Sequence, residues 1–346
     1  MPRRVLRILR WQLGLFVLLF ALGELLVRRH YEGSLAAALR SLAGGKRPTA
    51  NLDTQQMVEP DAELGYRLNR KRGGVNSLGL LGPEITRDKP ANTLRILVLG
   101  DSVAMDQDGF VTMVRERLPA WRGRPVQVIN AAVFGYTTYQ ERRWFERDLL
   151  ALQPDLVLLQ HCLNDNHRFL HTLTEDGRFL ITQEARRTLL ADGFLSRWLS
   201  WSWLVFEIRL RVLALQTGAQ RSDGYPWDAL FEFHAAWDDA TWPEAAEHLR
   251  AIHAACQGIG ARCVVLSIPF EPQLDPRYLD RDRAYTLKPQ RKLAEACAAA
   301  GIRLLDWFDT FQARRQEHLF TDRIHLTPAG HELVAGKLLE FLAAEK

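Results

Sequence analysis

The segment Arg95–Ser102 is RILVLGDS, an apolar, partly β-branched run that stops at Gly-Asp-Ser. A run of this kind predicts a strand covered on both faces, and the serine follows where that strand ends. Far downstream, Asp322 and His325 place a carboxylate and an imidazole three residues apart. A serine hydroxyl is a weak nucleophile until a base takes its proton and a third group orients that base. The chain therefore carries all three parts, in the order Ser, Asp, His.

Short apolar runs alternate with longer amphipathic runs from residue 94 onward. This alternation predicts a parallel sheet with crossover helices. The predicted strands are Arg95–Leu99, Val126–Asn130, Asp155–Gln160, Arg262–Ile268 and Ile302–Asp306. The predicted helices are Gly109–Leu118, Thr138–Leu152, Trp242–Gln257, Lys288–Ala300 and Pro328–Leu342. We expect Thr327 to cap the last helix, because threonine is a preferred N-cap and proline suits the first helical turn.

Composition and charge place the chain among globular proteins and argue against a nucleic-acid partner. Its 346 residues are 47% hydrophobic and 25% charged, which suits one large domain with additional segments. The formal net charge is +4, and part of it comes from arginines that precede residue 11. Because no Lys/Arg stripe interleaved with aromatic residues follows, we expect no nucleic-acid partner.

Neither cysteines nor histidines indicate a metal site. The cysteines are Cys162, Cys256, Cys263 and Cys297, with no metal-ligand spacing among them. We expect buried free thiols, with a disulfide between Cys256 and Cys263 as the alternative. The other candidates for metal ligands are His161, His167, His171, His331, Asp238 and Asp239. None has the spacing of zinc ligands, so we expect neither a metal nor a cofactor.

The N-terminal segment Trp11–Val27 is apolar except for Gln12 and Glu24, and its length is near the lower limit for a bilayer span. Arginines precede it and Arg28–His30 follows, so the charge bias favours an N-inside orientation. A cleaved signal peptide and a buried helix are the alternatives. Because no small-residue cleavage site closes the apolar run, we expect a single-pass anchor in a bacterial inner membrane, with the following domain periplasmic.

The predicted organisation has three parts. Residues 1–31 are the arginine-rich cytoplasmic end and signal-anchor helix, residues 32–92 are a stalk and lead-in, and residues 93–346 are the main domain. A helical insertion interrupts this domain at about residues 171–240, where the alternating pattern breaks. Within the insertion, Phe194–Leu215 is a Trp-rich, basic helix. We expect it to pack over the sheet or the mouth of the site, with the bilayer surface as the alternative.

Reactive groups of an open parallel sheet gather in the loops at the carboxyl ends of its strands. Ser102 follows the first predicted strand, Gly135 follows the second and Asn164 follows the third. Acyl chemistry needs donors aimed at the developing oxyanion as well as a nucleophile and a base. The N–H groups of Ser102 and Gly135 and the side-chain amide of Asn164 are candidates for these donors.

Four ordered blocks of this sequence resemble the SGNH/GDSL hydrolase family. They are Gly100–Ser102, Asn130–Gly135, Asn164–Asp165 and the Asp322-x-x-His325 pair. The resemblance covers roughly residues 94–345. It implies a flavodoxin-like three-layer α/β/α sandwich with a parallel sheet, and serine-based ester hydrolysis or acyl transfer. It also implies that Asp322 orients His325, and that Ser102, Gly135 and Asn164 form the oxyanion hole.

Supporting or pocket-lining roles are expected for Asp101, Asn130, Cys162, Asp165 and Asn166. One position departs from the family pattern: Cys162 stands where the third block usually has glycine, so we expect a narrower pocket floor beside Asn164. The lead-in Asn76–Glu84 looks like that of membrane-anchored members of the family.

The function expected from the sequence is that of a membrane-anchored serine esterase outside the cytoplasm. It would act on small acyl esters, with O-acetyl groups of a glycan as the expected substrate. One alternative is an O-acyltransferase of an envelope polysaccharide that uses the same triad. The other is a non-catalytic component of a polysaccharide-assembly system. The expected partners are the ester substrate, the inner membrane and envelope polysaccharide machinery.

Overall fold

A computed structural model describes most of the chain. The described residues are 3–45, 57–173, 180–182, 199, 201–219, 224–228 and 231–345. The chain divides into two compact units. The first consists of Met1–Leu52 and Ile181–Asp223, and the second of Asp53–Leu180 and Gly224–Lys346.

The described residues form helices and strands with the following bounds. The helices are α1 (Arg3–Glu32), α2 (Leu35–Ala43), α3 (Phe110–Arg117), α4 (Thr138–Trp144), α5 (Trp203–Ala219), α6 (Phe231–His234), α7 (Trp242–Gly258), α8 (Pro276–Thr286), α9 (Lys288–Ala300), α10 (Phe308–Ala313) and α11 (Pro328–Ala344). The strands are β1 (Val58–Asp61), β2 (Gly65–Leu68), β3 (Leu94–Gly100), β4 (Ala120–Trp121), β5 (Arg124–Ala132), β6 (Leu156–His161), β7 (His171–Leu173), β8 (Leu180–Thr182), β9 (Arg262–Ser267) and β10 (Arg303–Asp306).

A six-stranded sheet in the second unit has the order β10-β9-β6-β3-β5-β4. Five of its strands run parallel, and the short β4 pairs antiparallel with β5 at one edge. Taken along the chain, the parallel strands have the order 2-1-3-4-5, which is the flavodoxin-like arrangement. Right-handed crossovers then place α3 on one face and α4, α7 and α9 on the other. The predicted three-layer α/β/α fold is confirmed.

The central strands are buried along their whole length, as the apolar runs predict. Every residue of β3 and β6 is buried, and each predicted strand is present within two residues of its expected ends. The last helix begins at Pro328, and its N-cap Thr327 accepts a hydrogen bond from the Gly330 N–H at 3.2 Å. One predicted helix is different: α4 ends at Trp144 and continues as a π-helical turn, Phe145–Leu149.

Residues 57–92 of the predicted stalk and lead-in belong to the second unit. The strands β1 and β2 form an antiparallel hairpin there, and Tyr66 and Leu68 are buried in the core. Leu81 donates its N–H to the Asn130 carbonyl at 3.0 Å, which joins the lead-in to β5. Strands of four residues are too short to show a clear period of two, so their tertiary packing decides the outcome. Residues 46–56 lie outside the described residues.

The first unit contains α1, α2 and α5, and Glu24 connects α1 to the start of α5. Glu24 pairs with Arg28 at 2.7 Å, and both side chains are buried. The same carboxylate accepts hydrogen bonds from the Ser202 hydroxyl at 2.7 Å and from the N–H groups of Trp203 and Leu204 at 3.0 Å. Glu24 therefore caps the N-terminus of α5, where orphan N–H groups and the helix dipole favour an anion.

The apolar side chains of α1 are exposed rather than packed in a core. Trp11 is 73% exposed and Leu18 is 65% exposed. Arg10–His30 is long and apolar enough to cross a membrane. A buried helix, one of the three alternatives for this segment, is therefore wrong, while a membrane anchor and a signal sequence both remain.

The predicted helical insertion is described only in part. Residues 194–198 and 200 of the Trp-rich segment lie outside the described residues. The helix α5, which contains residues 203–215 of this segment, packs against α1 within the first unit. The cysteine expectation is confirmed, because all four thiols are free and buried.

Candidate active site

The structure brings together the three residues expected to form the nucleophile system. Ser102 lies two residues after the end of β3, and Asp322 and His325 lie in the loop before α11. His325 Nε2 is 2.9 Å from Ser102 Oγ, and His325 Nδ1 is 2.7 Å from Asp322 Oδ2. Both distances are those of hydrogen bonds, so the imidazole can accept the hydroxyl proton while the carboxylate orients the ring.

The backbone of its own loop holds the Asp322 carboxylate. Its Oδ1 accepts the N–H groups of Ile324 and His325, both at 2.8 Å. Partial burial raises the pKa of the Asp322 carboxyl, but these two N–H groups and the imidazole outweigh burial and bring the pKa below its ordinary value. The Thr321 N–H closes the loop on the His325 carbonyl at 2.8 Å. The carboxylate thus stays charged and fixed beside the imidazole.

The candidate oxyanion donors come from three neighbouring strands. Ser102 follows β3, Gly135 follows β5 and Asn164 follows β6, and the sheet places β3 between the other two. The strand order reverses at this point, where ligands of open α/β sheets usually bind. In the part of the chain that the structure describes, neither the Ser102 N–H nor the Gly135 N–H meets an intramolecular acceptor. Among the described residues, no acceptor therefore competes for these two N–H groups.

Asn130 and Asp101 support the loop that carries Ser102. The Asn130 amide donates to the Ala104 carbonyl at 2.8 Å, and its oxygen accepts the Ala132 N–H at 2.9 Å. The Asp101 carboxylate accepts the Val103 N–H at 2.9 Å. These bonds join the end of β5 to the turn after β3, which positions the serine without contacting its hydroxyl.

A short 3₁₀ helix, Leu163–Asn166, presents Asn164. The Asp165 carboxylate accepts the Cys162 N–H at 2.7 Å and so ties the start of this helix. The Asn166 amide donates to the Thr241 hydroxyl at 3.1 Å. Burial, followed by the nearby carboxylates, raises the pKa of the Cys162 thiol well above its ordinary value, so this cysteine stays protonated. The narrower pocket floor beside it stays a prediction.

Three buried carboxyl groups lie behind the candidate site: Asp101, Asp165 and Glu141. Burial raises the pKa of each, and repulsion from Asp165 and Asp101 raises that of Glu141 further. Among the described residues, neither carboxyl oxygen of Glu141 has a hydrogen-bond partner. The sequence does not reveal this group, because a glutamate in the first turn of α4 has the pattern of an exposed acid favoured by the helix dipole.

Glu141→Gln is expected to stabilise the protein at pH 8 by about 1–3 kcal/mol, and by less at pH 5. In the folded protein the Glu141 carboxyl keeps its proton at pH values above about 4.3, the pKa of a glutamate in an unfolded chain. Unfolding at such a pH releases this proton, so the free energy of unfolding falls as the pH rises through that value. Glutamine keeps the shape of the side chain and removes the charge. Urea unfolding at the two pH values measures the effect.

The matched control for this experiment is Glu295→Gln, which changes an exposed glutamate on α9. It should alter stability by no more than about 0.5 kcal/mol at either pH. If the Glu141→Gln variant is less stable than the unmodified chain at both pH values, the Glu141 carboxyl is not held protonated in the folded protein.

The remaining histidines and paired acids lie in other environments. His331 accepts the Phe110 N–H at 3.3 Å and lies 3.3 Å from an Asp106 oxygen, so it packs against the start of α3. His161 stacks on Trp242, and burial lowers its pKa to about 3. Asp239 pairs with lysines of α9. Within the described ranges, no cluster of three or more His, Cys, Asp or Glu side chains is arranged to hold a metal.

Sequence reasoning missed two side chains that lie behind Gly135. A Cβ atom built on this glycine would lie 2.2 Å from His171 Nδ1 and 3.2 Å from the Tyr66 hydroxyl. Gly135 also has φ +66°, which other residues rarely adopt. Burial lowers the pKa of His171 to about 4, so its ring is neutral. No local pattern could reveal these neighbours, because they come from β2 and β7.

The chain matches one protein family and is similar to several solved structures. Residues 98–333, more than half of the chain, match the model of the GDSL-like Lipase/Acylhydrolase family. An acetylxylan esterase from Geobacillus stearothermophilus is a similar solved structure, with 15% identity over 72% of this chain and 94% of that chain and a TM-score of 0.43. An alpha/beta hydrolase enzyme from the metagenome of Lake Arreo, Spain, has 17% identity over 72% and 95%, with a TM-score of 0.44. Curated proteins give no significant match.

Proposed function

Because the chain belongs to the GDSL-like lipase/acylhydrolase family and is a serine ester hydrolase, we propose that Ser102, His325 and Asp322 are its catalytic triad. One observation carries the proposal: hydrogen bonds run without a break from Asp322 Oδ2 through the imidazole to Ser102 Oγ. The contact between His325 and Ser102 joins residues that are 223 positions apart in the sequence. Their convergence at the carboxyl end of β3 supports a shared chemical role.

In the proposed reaction, Ser102 Oγ attacks the ester carbonyl carbon while its proton passes to His325 Nε2. The carbonyl oxygen becomes an oxyanion, which accepts hydrogen bonds from the Ser102 and Gly135 N–H groups and the Asn164 amide. His325 then returns the proton to the leaving alcohol, and an acyl-Ser102 ester remains. Water attacks this ester with His325 again as the base, which releases the acid and restores the serine. Asp322 stabilises the imidazolium in both steps.

We propose that the substrate is an acetyl ester on a bulky, hydroxyl-rich molecule such as a glycan. The side chains of His325 and Asp322 are 42% and 54% exposed, so a large alcohol part can reach the triad from solvent. A cavity of about 620 Å³ adjoins the Asp322–His325 loop at Arg323, and Asp275 and Arg277 also line it. Charged side chains of this kind suit sugar hydroxyls better than a long acyl chain.

The experiment that tests the function is an acetate-release assay with the full chain in detergent. p-Nitrophenyl acetate and O-acetylated polysaccharides serve as substrates. We expect acetate from both, in proportion to enzyme concentration. If the acetyl group appears on an added sugar acceptor and free acetate disappears, the reaction is transfer by the same triad. If no acyl ester is consumed, the proposed function is wrong.

We further propose that α1 is a retained inner-membrane anchor and that the catalytic unit acts outside the cytoplasm. Glu24 supports retention, because cleavage after the apolar segment would remove the carboxylate that caps α5. N-terminal sequencing of the protein from membrane fractions should find residues 11–27 still present. A mature chain that begins after Val27 would show that the segment is a cleaved signal.

A further inference from the structure

The candidate donor Gly135 lies in a tight turn whose two central residues are Phe134 and Gly135. The Tyr136 N–H donates to the Val133 carbonyl at 3.0 Å, which closes a four-residue β-turn. Gly135 has φ +66°, whereas Phe134 is not among the described non-glycine residues with positive φ. A positive φ at the third position alone defines a type II turn.

Type II and type I turns share this closing hydrogen bond but differ by a rotation of about 180° of the central peptide. In this protein the central peptide joins the Phe134 carbonyl to the Gly135 N–H. A flip would leave the ends of the turn in place and point the N–H away from its present direction. Because glycine adopts positive and negative φ with similar ease, residue 135 itself does not prevent the flip.

Tyr66 of β2 contacts this same peptide. Its hydroxyl donates to the Phe134 carbonyl oxygen at 2.9 Å. In a trans peptide the C=O and N–H bonds point in opposite directions, so a bond that fixes the oxygen also fixes the hydrogen. We propose that Tyr66 is a positioning residue for catalysis, which holds the Phe134–Gly135 peptide in the orientation that aims the Gly135 N–H at the oxyanion.

The environment of Tyr66 makes it a rigid donor. The side chain is fully buried, and burial raises the pKa of its phenol, so the hydroxyl stays protonated. The Tyr136 hydroxyl donates to the Tyr66 carbonyl at 2.5 Å, and the two rings meet edge to face with centroids 5.3 Å apart. Gln140 of α4 donates to the carbonyl of Leu64, next to β2, at 2.8 Å.

An ion pair holds the same hairpin at its turn, where Asp61 is paired with Gly65, next to Tyr66. Arg147 contacts both carboxylate oxygens of Asp61, at 2.9 and 3.0 Å. Burial opposes the charge of Asp61, but Arg147 and two backbone N–H groups lower its pKa to about 2. Residues before position 98, outside the span of the family match, therefore complete the support of the proposed oxyanion hole.

This inference rests on the proposed function and adds a residue to it. The experiment compares Tyr66→Phe with Thr286→Val in the full chain, with p-nitrophenyl acetate as the substrate. Both changes remove one fully buried hydroxyl that donates to a backbone carbonyl, since the Thr286 hydroxyl donates to the Tyr278 carbonyl at 2.9 Å. Of these two hydroxyls, only that of Tyr66 contacts the peptide that carries the Gly135 N–H. Thr286→Val is therefore the matched control for loss of stability.

We expect kcat to fall on the order of tenfold in Tyr66→Phe, with KM within about threefold, because the donor acts on the transition state more than on bound substrate. Complete loss of an oxyanion donor sets an upper limit of about 10²–10³-fold. Thr286→Val should keep kcat within about threefold of the unmodified chain. Both variants should lose similar thermal stability, and the pH profile of kcat should keep its shape, because the triad is unchanged.

Equal kcat values for the two variants would overturn the role of Tyr66, while an active unmodified chain would leave the proposed function intact. A Tyr66→Phe variant that loses activity only through a raised KM would also overturn it. An unmodified chain that hydrolyses no ester would overturn both proposals. The results therefore separate failure of the positioning role from failure of the function.

Discussion

Ser102→Ala is expected to lower kcat for p-nitrophenyl acetate by about 10⁴–10⁶-fold, with little change in KM. Alanine removes the only atom that forms the acyl bond in the proposed reaction. The His325 ring then has no hydroxyl to activate, although Asp322 still orients it. Residual turnover would reflect the oxyanion donors and substrate binding, which accelerate direct attack by water.

The matched control for this prediction is Ser267→Ala. Ser267 is a buried serine at the carboxyl end of the parallel strand β9, and only its backbone carbonyl takes part in a described loop contact. The control should keep kcat within about twofold. Because the triad acts as a unit, the double variant Ser102→Ala/His325→Ala should be no slower than Ser102→Ala alone. A fully active Ser102→Ala variant would show that another group is the nucleophile.

Asp322→Asn is expected to lower kcat by about 10³–10⁴-fold near neutral pH. The asparagine amide can donate to His325 Nδ1, which favours the ring tautomer with its proton on Nε2. That tautomer cannot take the Ser102 proton. The neutral amide also gives no charge to stabilise the imidazolium. Kinetics with p-nitrophenyl acetate from pH 6 to 9 measure the loss.

Asp238→Asn provides the matched control for Asp322→Asn. The Asp238 carboxylate accepts the Ala240 N–H at 2.9 Å, as Asp322 accepts N–H groups within its own loop, but Asp238 has no described contact with a histidine. This control should leave kcat within about threefold. If the two variants lose equal activity, Asp322 only stabilises its loop, and the assignment of the acid is wrong.

Most of the sheet and the site blocks could be predicted because their signals are local. A strand buried on both faces must be apolar at nearly every position, so the runs around Ile96 and Val157 indicate parallel strands without knowledge of their neighbours. The strand ends then place Ser102, Gly135 and Asn164 at one edge of the sheet. Thr327 and Pro328 mark the start of α11 by the same kind of local chemistry.

The hairpin β1–β2 and its Tyr66 could not be predicted in this way. Each strand has four residues, and a tyrosine in such a segment has the same local pattern whether it lies on the surface or behind a catalytic loop. Glu141 gives a misleading signal, since its place in a first helical turn is typical of an exposed acid. Tyr66 contacts Phe134, and Glu141 lies near Asp101 and Asp165, so both environments depend on residues that are far apart in the chain.

The sequence by itself determined the order of the parallel strands and their crossover helices along the chain, the three chemical groups of the proposed triad and the apolar character of the N-terminal helix. These features depend on the spacing of apolar residues, on helix capping and on residue chemistry, all of which are visible in short stretches of sequence. Only the tertiary structure decided that residues 57–92 join the catalytic unit, that Glu24 caps α5 and that Tyr66 reaches the Phe134 carbonyl. Such contacts depend on how distant segments pack against each other, and neither segment contains a sequence pattern that indicates its partner.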